Sequence, residues 1–223
     1  RHQPGTRWSY SMATDVLGRV VEVVDGRPFA EALQARILDP LGMLDTGFKV
    51  NDESLRRMTS CYAFSSDEEP ALLDRGLSTA FREPSWDSGG GGLVSTMADY
   101  HRFCSALLGG GALGGRRVLG SRTVQLMTVN HLPDGRHLDE VGDDLYTPGF
   151  FSGCGFGLGF ATVEDPAQAR ILATRGEASW GGMASTAFWI DPTEGIHTIF
   201  LAQLVPSSAH LSLRWDLRTL VNQ

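Results

Sequence analysis

Few side chains in this sequence stand at spacings that could do chemistry, and several standard arrangements are absent. No serine is followed three positions later by a lysine, and no Gly-x-Ser-x-Gly nucleophile elbow occurs. Thr46-Gly47-Phe48-Lys49 imitates a nucleophile-x-x-Lys motif, but Lys49, the only lysine, precedes an acidic loop, which predicts a turn and a surface lysine. One further set fits no metal-ligand spacing and indicates a solvated loop: His131, His137, Asp143 and Asp144. We therefore expect no metal and no organic cofactor.

A glycine pattern, Gly155-x-Gly157-x-Gly159, imitates a phosphate-binding loop. A dinucleotide fingerprint needs a strand before it, a helix after it and an acidic residue about 20 positions later. Here the glycines stand inside a run that itself predicts a strand, so close packing of the backbone is the favoured interpretation.

Composition limits the classes of protein that this chain can represent. Its 223 residues correspond to about one and a half domains of about 150 residues each. The formal net charge of −7 argues against a nucleic-acid surface, and no apolar run approaches the roughly 18 residues that span a bilayer. The three cysteines Cys61, Cys104 and Cys154 form no C-x-x-C pair. Their odd number favours a reducing cytoplasm, whereas a periplasmic or secreted location would need a signal peptide upstream.

Four helices are predicted from apolar spacing and end signals. The first covers residues 16–24 and stops at Asp25-Gly26, and the second opens at Pro28 and must end before Pro40. Thr96 is the N-cap candidate of a third helix, with Asp99 three positions later and Gly109-Gly110-Gly111 closing it. Ser121 is a candidate cap for a short fourth helix.

The last third of the chain changes to the pattern of short strands. Strands are predicted at 156–163, 170–174, 184–190 and 196–203, with a hairpin loop at 191–195 and a final helix over 211–221. Residues 64–92 and 130–155 are long connectors. Helices followed by an antiparallel sheet and a last helix indicate the α+β class. We expect a helical region with long connectors at 1–150, and antiparallel strands with the terminal helix at 151–223.

Three stretches taken together resemble a known family. They are Trp8-Ser9-Tyr10-Ser11-Met12 with the helix after it, Gly89-Gly90-Gly91-Gly92-Leu93-Val94-Ser95-Thr96, and Trp180-Gly181-Gly182-Met183. In this order and spacing they resemble the class C β-lactamase and penicillin-binding-protein superfamily, and most of all its family VIII carboxylesterases and related acyltransferases. The similarity runs over essentially the whole chain and implies a β-lactamase/transpeptidase-like fold.

The resemblance implies acyl transfer through a serine of an S-x-x-K motif, with a tyrosine acting beside that lysine. Tyr10 matches this tyrosine. A free tyrosine has a pKa near about 10 and is a poor base at neutral pH, but a neighbouring ammonium favours its phenolate, which can then take a proton from the serine. The other interpretation, a partly buried aromatic residue before a helix, stays open.

By the same resemblance, the segment from Trp180 to Met183 occupies the place of the family's K-T-G box, on a strand that walls the acyl pocket. Gly181 and Gly182 would let a substrate lie against the backbone, and the Met183 N–H would supply half of an oxyanion hole. Trp180 as a core residue, and Gly181-Gly182 as a β-bulge without a ligand, are the alternatives.

Two departures from the lactamases bear on the substrate. Met12 stands where lactamases carry an asparagine, and methionine has no amide to donate. Trp180 stands where lactamases carry the K-T-G lysine, which pairs with the carboxylate of a penicillin. Both changes favour neutral esters over β-lactams as the small-molecule substrate.

The nucleophile is the part of the site that this sequence does not contain. Only nine residues precede Tyr10, whereas the S-x-x-K segment of the family lies upstream of the tyrosine. We therefore expect a partial fold, the C-terminal portion of a larger serine carboxylesterase that is inactive alone and leaves part of its sheet unpaired. The alternatives are a β-lactamase or D-alanyl-D-alanine carboxypeptidase, and a non-catalytic binding module of the same fold.

Overall fold

The computed structural model describes residues 2–64, 69–75, 79–142, 149–207 and 211–223. Its helices are α1 (Ala13–Asp25), α2 (Phe29–Leu33), a π turn (Gln34–Leu38), α3 (Asp39–Leu41), α4 (Asp52–Leu55), α5 (Thr79–Arg82), α6 (Met97–Leu108), α7 (Ser121–Met127), a 3-10 turn (Pro133–Gly135), α8 (Leu138–Val141), α9 (Pro166–Ala169) and α10 (Leu211–Val221). Its strands are β1 (Cys61–Phe64), β2 (Pro70–Asp74), β3 (Ala112–Leu113), β4 (Arg116–Arg117), β5 (Cys154–Phe156), β6 (Ala161–Val163), β7 (Ala178–Gly181), β8 (Ala187–Asp191), β9 (Ile196–Phe200) and β10 (Leu204–Val205).

The main sheet is antiparallel, with the strand order β5-β6-β7-β8-β9. Because side chains alternate along a strand, β8 presents Phe188 to one face and Trp189 to the other. On the first face Phe188 meets Tyr100 of α6, with ring centroids 5.3 Å apart. On the second face Arg218 of α10 lies 4.5 Å from the centre of the Trp189 ring. The predicted α+β fold, with an antiparallel sheet flanked by helices, is confirmed.

Helix α6 begins and ends where the sequence predicts. The Thr96 hydroxyl accepts a hydrogen bond from the Asp99 N–H at 3.2 Å, which is the predicted N-cap. The helix closes at Leu108, before the three glycines. Its inner face buries Cys104 and Leu107 against the sheet.

Helix α1 also ends at the predicted signal. Gly26 adopts the left-handed conformation with φ of 74°, and its N–H donates to the Glu22 carbonyl at 2.9 Å. A residue without a side chain takes this conformation at little cost, which is why the helix stops there.

The prediction that the second helix ends before Pro40 is wrong. The chain continues from α2 through the π turn into α3 and ends at Leu41. In the π turn the Asp39 N–H bonds to the Gln34 carbonyl, five residues back. This wider turn carries the helix past a residue that has no N–H to donate.

The predicted strand at 156–163 is two strands joined by a turn. Gly155 lies in β5, whereas Gly157 and Gly159 lie in the turn, where Gly159 has a φ of 100°. The interpretation of close packing holds for two of the glycines. A Cβ on Gly155 would lie 2.3 Å from the Asn130 side chain, and one on Gly157 would lie 2.1 Å from the Met127 carbonyl oxygen.

The remaining differences concern irregular and exposed segments. Residues 170–174 form no strand and connect α9 to β7. The first predicted connector contains β2, which pairs with β1, and β1 in turn pairs in parallel with β10. Strand β2 is mostly exposed and lacks the alternation of a half-buried strand, so periodicity could not reveal it.

Two further features concern membrane spanning and the edges of the main sheet. Among the helices of the described ranges, none combines the length and the apolar character needed to cross a membrane. Strands β5 and β9 form the edges of the main sheet within this chain.

Candidate active site

The structure brings Tyr10 and the segment from Trp180 to Met183 onto one surface. Tyr10 lies in the extended segment before α1 and is 52% exposed. Its ring faces the Trp180 ring of β7, with centroids 6.4 Å apart and planes inclined by only 10°. Gly181, Gly182 and Met183 continue the chain directly from Trp180. Tyr10 and the glycine-bearing strand therefore share one face of the molecule.

Contacts on both sides of Tyr10 fix its position. Before it, the Trp8 N–H donates to the Val141 carbonyl at 2.9 Å, and the Trp8 ring packs against Phe156 with centroids 5.0 Å apart. After it, the Ser11 hydroxyl accepts from the Ala13 N–H at 3.2 Å, where α1 begins. The tyrosine is thus held between the end of α8 and the start of α1.

The glycine-rich stretch after residue 88 fits against the first turns of α1. The Ser88 hydroxyl and the Gly90 N–H both donate to one oxygen of Asp15, at 2.5 and 3.0 Å. A Cβ on Gly89 would lie only 2.1 Å from the Thr14 carbonyl oxygen, so only glycine allows this approach. This glycine-rich stretch therefore anchors α1, the helix that follows Tyr10.

Aromatic rings line the surface between Tyr10 and the segment from Trp180 to Met183. Trp180 stacks on Phe151, with centroids 5.8 Å apart and planes inclined by 11°, and it meets the edge of Phe156 at 5.4 Å. With Trp8 and Tyr10 these rings form one group, which we name the aromatic cluster. Such pairs favour offset-stacked or edge-on contacts and present apolar faces to a neighbouring group. Phe151 and Phe156 have no local sequence signal that marks them for this surface.

Met183 lies in the tight turn between β7 and β8. The Gly182 N–H donates to the Thr186 carbonyl at 2.9 Å, and the Ser185 N–H donates to the Gly182 carbonyl at 3.1 Å. The Met183 carbonyl accepts from the Ser207 N–H at 2.9 Å, and the Met183 side chain is 73% exposed. Within the part of the chain that the structure describes, no acceptor pairs with the Met183 N–H. That N–H therefore belongs to a hydrogen-bonded turn and has no acceptor of its own among the described residues.

The glycines of this strand also have a structural reason that the sequence did not reveal. A Cβ on Gly181 would lie 2.5 Å from an Arg214 guanidinium nitrogen, and a Cβ on Gly182 would lie 2.4 Å from the Thr186 hydroxyl. A side chain at either position would displace these neighbouring groups, so the glycines allow Arg214 and Thr186 their observed places. Arg214 is a residue that sequence analysis missed.

A buried ion pair joins the start of β7 to helix α10. Glu177, just before β7, is fully buried and pairs with Arg218 of α10. Burial raises the pKa of the Glu177 carboxyl, and the guanidinium of Arg218 opposes that shift. Arg218 also covers the Trp189 ring. Helix α10 and the sheet are thereby fastened together beneath the candidate site.

The sets that the sequence argued against have other functions or fall outside the described residues. The Thr46 hydroxyl donates to Asp99 at 2.8 Å, and Lys49 is exposed, as predicted for a surface lysine. The predicted turn is wrong, because Gly47 forms an antiparallel bridge with Val94. No group of three or more metal-ligating side chains occurs within the described ranges. Two members of the loop set, Asp143 and Asp144, lie outside them.

Comparisons with known proteins agree with the motifs. The profile of the family described as Beta-lactamase matches residues 1–223. Protein Rv1367c of Mycobacterium tuberculosis is 37% identical over 209 residues, which are 92% of this chain and 51% of that protein. Esterase EstB of Burkholderia gladioli is 29% identical over 214 residues, covering 89% of this chain and 50% of the esterase.

The solved structures give the same picture. EstCE1, a hydrolase with promiscuous acyltransferase activity, superposes on all of this chain with a TM-score of 0.82 at 26% identity, and the match covers 58% of EstCE1. The chain thus spans about half the length of the curated relatives it matches. The family profile over the full chain and this structural agreement confirm the predicted superfamily: the chain belongs to the beta-lactamase family and has the serine β-lactamase fold.

Proposed function

We propose that this chain forms one half of the active site of a serine-dependent carboxylesterase that works through an acyl-enzyme. Tyr10 supplies the base, and Met183 supplies one N–H of the oxyanion hole. The observation that carries the proposal is the joint position of the Tyr10 ring and the open Met183 turn on one surface. The nucleophilic serine and its lysine come from a segment outside this sequence.

The chemistry of Tyr10 requires a cation beside it. A phenol with a pKa of about 10 is protonated at neutral pH. An ammonium group placed within a few ångströms stabilises the phenolate, which takes the serine proton and later returns it to the leaving alcohol. Lys49 is exposed after α3 and is not part of the aromatic cluster, so the lysine of the S-x-x-K segment fills this position.

The Met183 turn suits the second requirement of acyl transfer. The tetrahedral intermediate carries a negative oxygen, which fixed N–H donors stabilise better than mobile water. The turn is held by four backbone hydrogen bonds, which involve residues 182–186, 204 and 207. The other N–H donor of the hole would be that of the serine nucleophile itself.

The aromatic cluster favours a neutral, apolar ester as the substrate. Trp180 is in stacking contact with two rings of the cluster, and Met12 is 66% exposed beside the start of α1. Neither side chain carries the positive charge with which a lysine pairs with a carboxylate. Arg175, which precedes β7 in sequence, forms an ion pair with Glu164, with 3.6 Å between its Nη2 atom and the Oε2 atom of Glu164. The apolar surface that these described residues present suits an aryl or alkyl ester better than a penicillin.

Helix α1 supports the proposal that the other half of the enzyme packs here. Apolar side chains on one broad face of the helix are exposed: Met12, Val16, Leu17, Val20, Val23 and Val24. An apolar face of this width normally marks a contact surface. Since Tyr10 directly precedes α1, a segment that covers this face would also come close to the tyrosine.

Rates on two substrates test this function. We expect the complete gene product, with the sequence upstream of residue 1, to hydrolyse p-nitrophenyl butyrate at least about 100-fold faster, in kcat/KM, than nitrocefin, a margin worth about 3 kcal/mol. The control is this chain alone, which should hydrolyse neither. A preference for nitrocefin would establish a β-lactamase instead, and inactivity of the complete product on both would favour a binding module.

A further inference from the structure

The arginine whose guanidinium packs against Gly181 also contacts the proposed oxyanion turn. Arg214 reaches from α10 to the end of β7, where its Nη2 atom donates to the Thr186 carbonyl at 3.2 Å and to the Gly182 carbonyl at 3.4 Å. Side chains alternate across the strand, so Trp180 faces the aromatic cluster and the guanidinium stands on the opposite side of β7. Arg214 and Trp180 nevertheless line one pocket, together with Phe151 and Trp215, so the test below separates an effect on the turn from an effect on substrate binding.

The Gly182 carbonyl has a direct connection to the proposed chemistry. It belongs to the same planar peptide unit as the Met183 N–H. A cation that donates to the carbonyl oxygen draws electron density from the nitrogen, which makes the N–H a stronger donor. The Ser185 N–H donates to the same oxygen at 3.1 Å and acts in the same direction.

Two features indicate that this arrangement is built rather than incidental. The strand carries glycine at 181, where any Cβ would meet three atoms of the guanidinium between 2.5 and 2.7 Å. One helical turn further along α10, Arg218 has a different task, the ion pair with Glu177. The two arginines share a helix face but fasten different elements.

We propose that Arg214 is a positioning residue for the oxyanion hole: it holds the Gly182–Met183 peptide in place and strengthens its N–H toward the negative oxygen of the intermediate. This inference rests on the proposed function. It predicts an effect on the transition state and little effect on binding of the neutral ester, because the oxygen becomes charged only as the reaction proceeds.

The experiment uses three variants of the complete gene product. Arg214→Met keeps the apolar stem and removes the donor, Arg214→Lys keeps a cation, and Gly181→Ala pushes the guanidinium away without changing any charge. Arg116→Met, at an exposed site on β4, is the matched control. For each protein, kcat and KM on p-nitrophenyl butyrate are measured with the thermal midpoint. The inhibition constant of phenylboronic acid is also measured, because its anionic tetrahedral adduct with the serine resembles the intermediate.

We expect Arg214→Met and Gly181→Ala to lower kcat about 10-fold, less than the roughly 100-fold cost of losing an oxyanion donor outright. The inhibition constant should rise by a similar factor, KM should change less than about threefold, and Arg214→Lys should recover part of kcat. Folded variants with wild-type kcat and inhibition constant, or with a change in KM alone, overturn the inference. If Arg214→Met does not fold, Gly181→Ala decides. An inactive wild type instead overturns the proposed function itself.

Discussion

The main sheet leads into one part of the candidate site and helix α1 directly follows the other part, Tyr10, but the two regions are packed very differently. All five residues of β8 are buried, between α6 on one face and α10 on the other. In α1, whose thirteen residues are all described, only Gly18 is buried. Yet α1 is rich in valine and leucine. Strand β8 is therefore enclosed between helices of this chain, whereas α1 presents exposed apolar side chains.

Under the proposed function, this difference separates a turn that is already preorganised from a tyrosine that still needs partners. The β7–β8 turn is fixed by hydrogen bonds from its own chain, so its donor is preorganised before any substrate arrives. The Tyr10 ring lies 6.4 Å from the Trp180 ring. Under the proposed function, the cation that would make Tyr10 a base and the contacts that would bury α1 come from a segment outside residues 1–223. The two regions should therefore respond differently to mutation.

The largest expected effect is on catalysis by Tyr10. In the complete gene product, Tyr10→Phe should lower kcat about 1,000-fold, within the range of general base catalysis, because the ring keeps its stacking but loses the ionisable oxygen. The measurement is kcat on p-nitrophenyl butyrate together with the thermal midpoint. Full activity in a folded variant would remove Tyr10 from the mechanism.

The next prediction compares the same valine-to-alanine substitution in the main sheet and in helix α1. Val163 of β6 is 1% exposed and Val20 of α1 is 49% exposed. In this chain, Val163→Ala should lower the free energy of unfolding by about 2 kcal/mol, from lost burial and a cavity, and Val20→Ala by less than about 0.5 kcal/mol. Urea unfolding of each variant measures both values. Equal losses at the two positions would show that α1 is packed as tightly as the sheet.

The sequence predicted the elements that local chemistry specifies. The Thr96 cap, the glycine stop of α1, the β8–β9 hairpin and the terminal helix each follow from short patterns, and all four are present. Pro40 was misjudged because a π turn depends on the packing of the whole segment and not on the proline alone.

The candidate site could be predicted only in part, for a similar reason. Tyr10 and the strand from Trp180 to Met183 stood out because a resemblance marked them. Phe151 and Phe156 join the aromatic cluster through tertiary contacts across the sheet, which no local pattern encodes. Arg214 meets Gly181 across 33 positions of sequence, a tertiary contact that no local pattern encodes.

The most direct test of the central claim is to locate the reactive serine. The complete gene product is treated with a fluorophosphonate, which labels activated serines, and the labelled peptide is identified by mass spectrometry. The account predicts one labelled serine, in a Ser-x-x-Lys motif upstream of residue 1, and loss of labelling in the Tyr10→Phe variant. A labelled serine within residues 1–223, or labelling that does not depend on Tyr10, would contradict it.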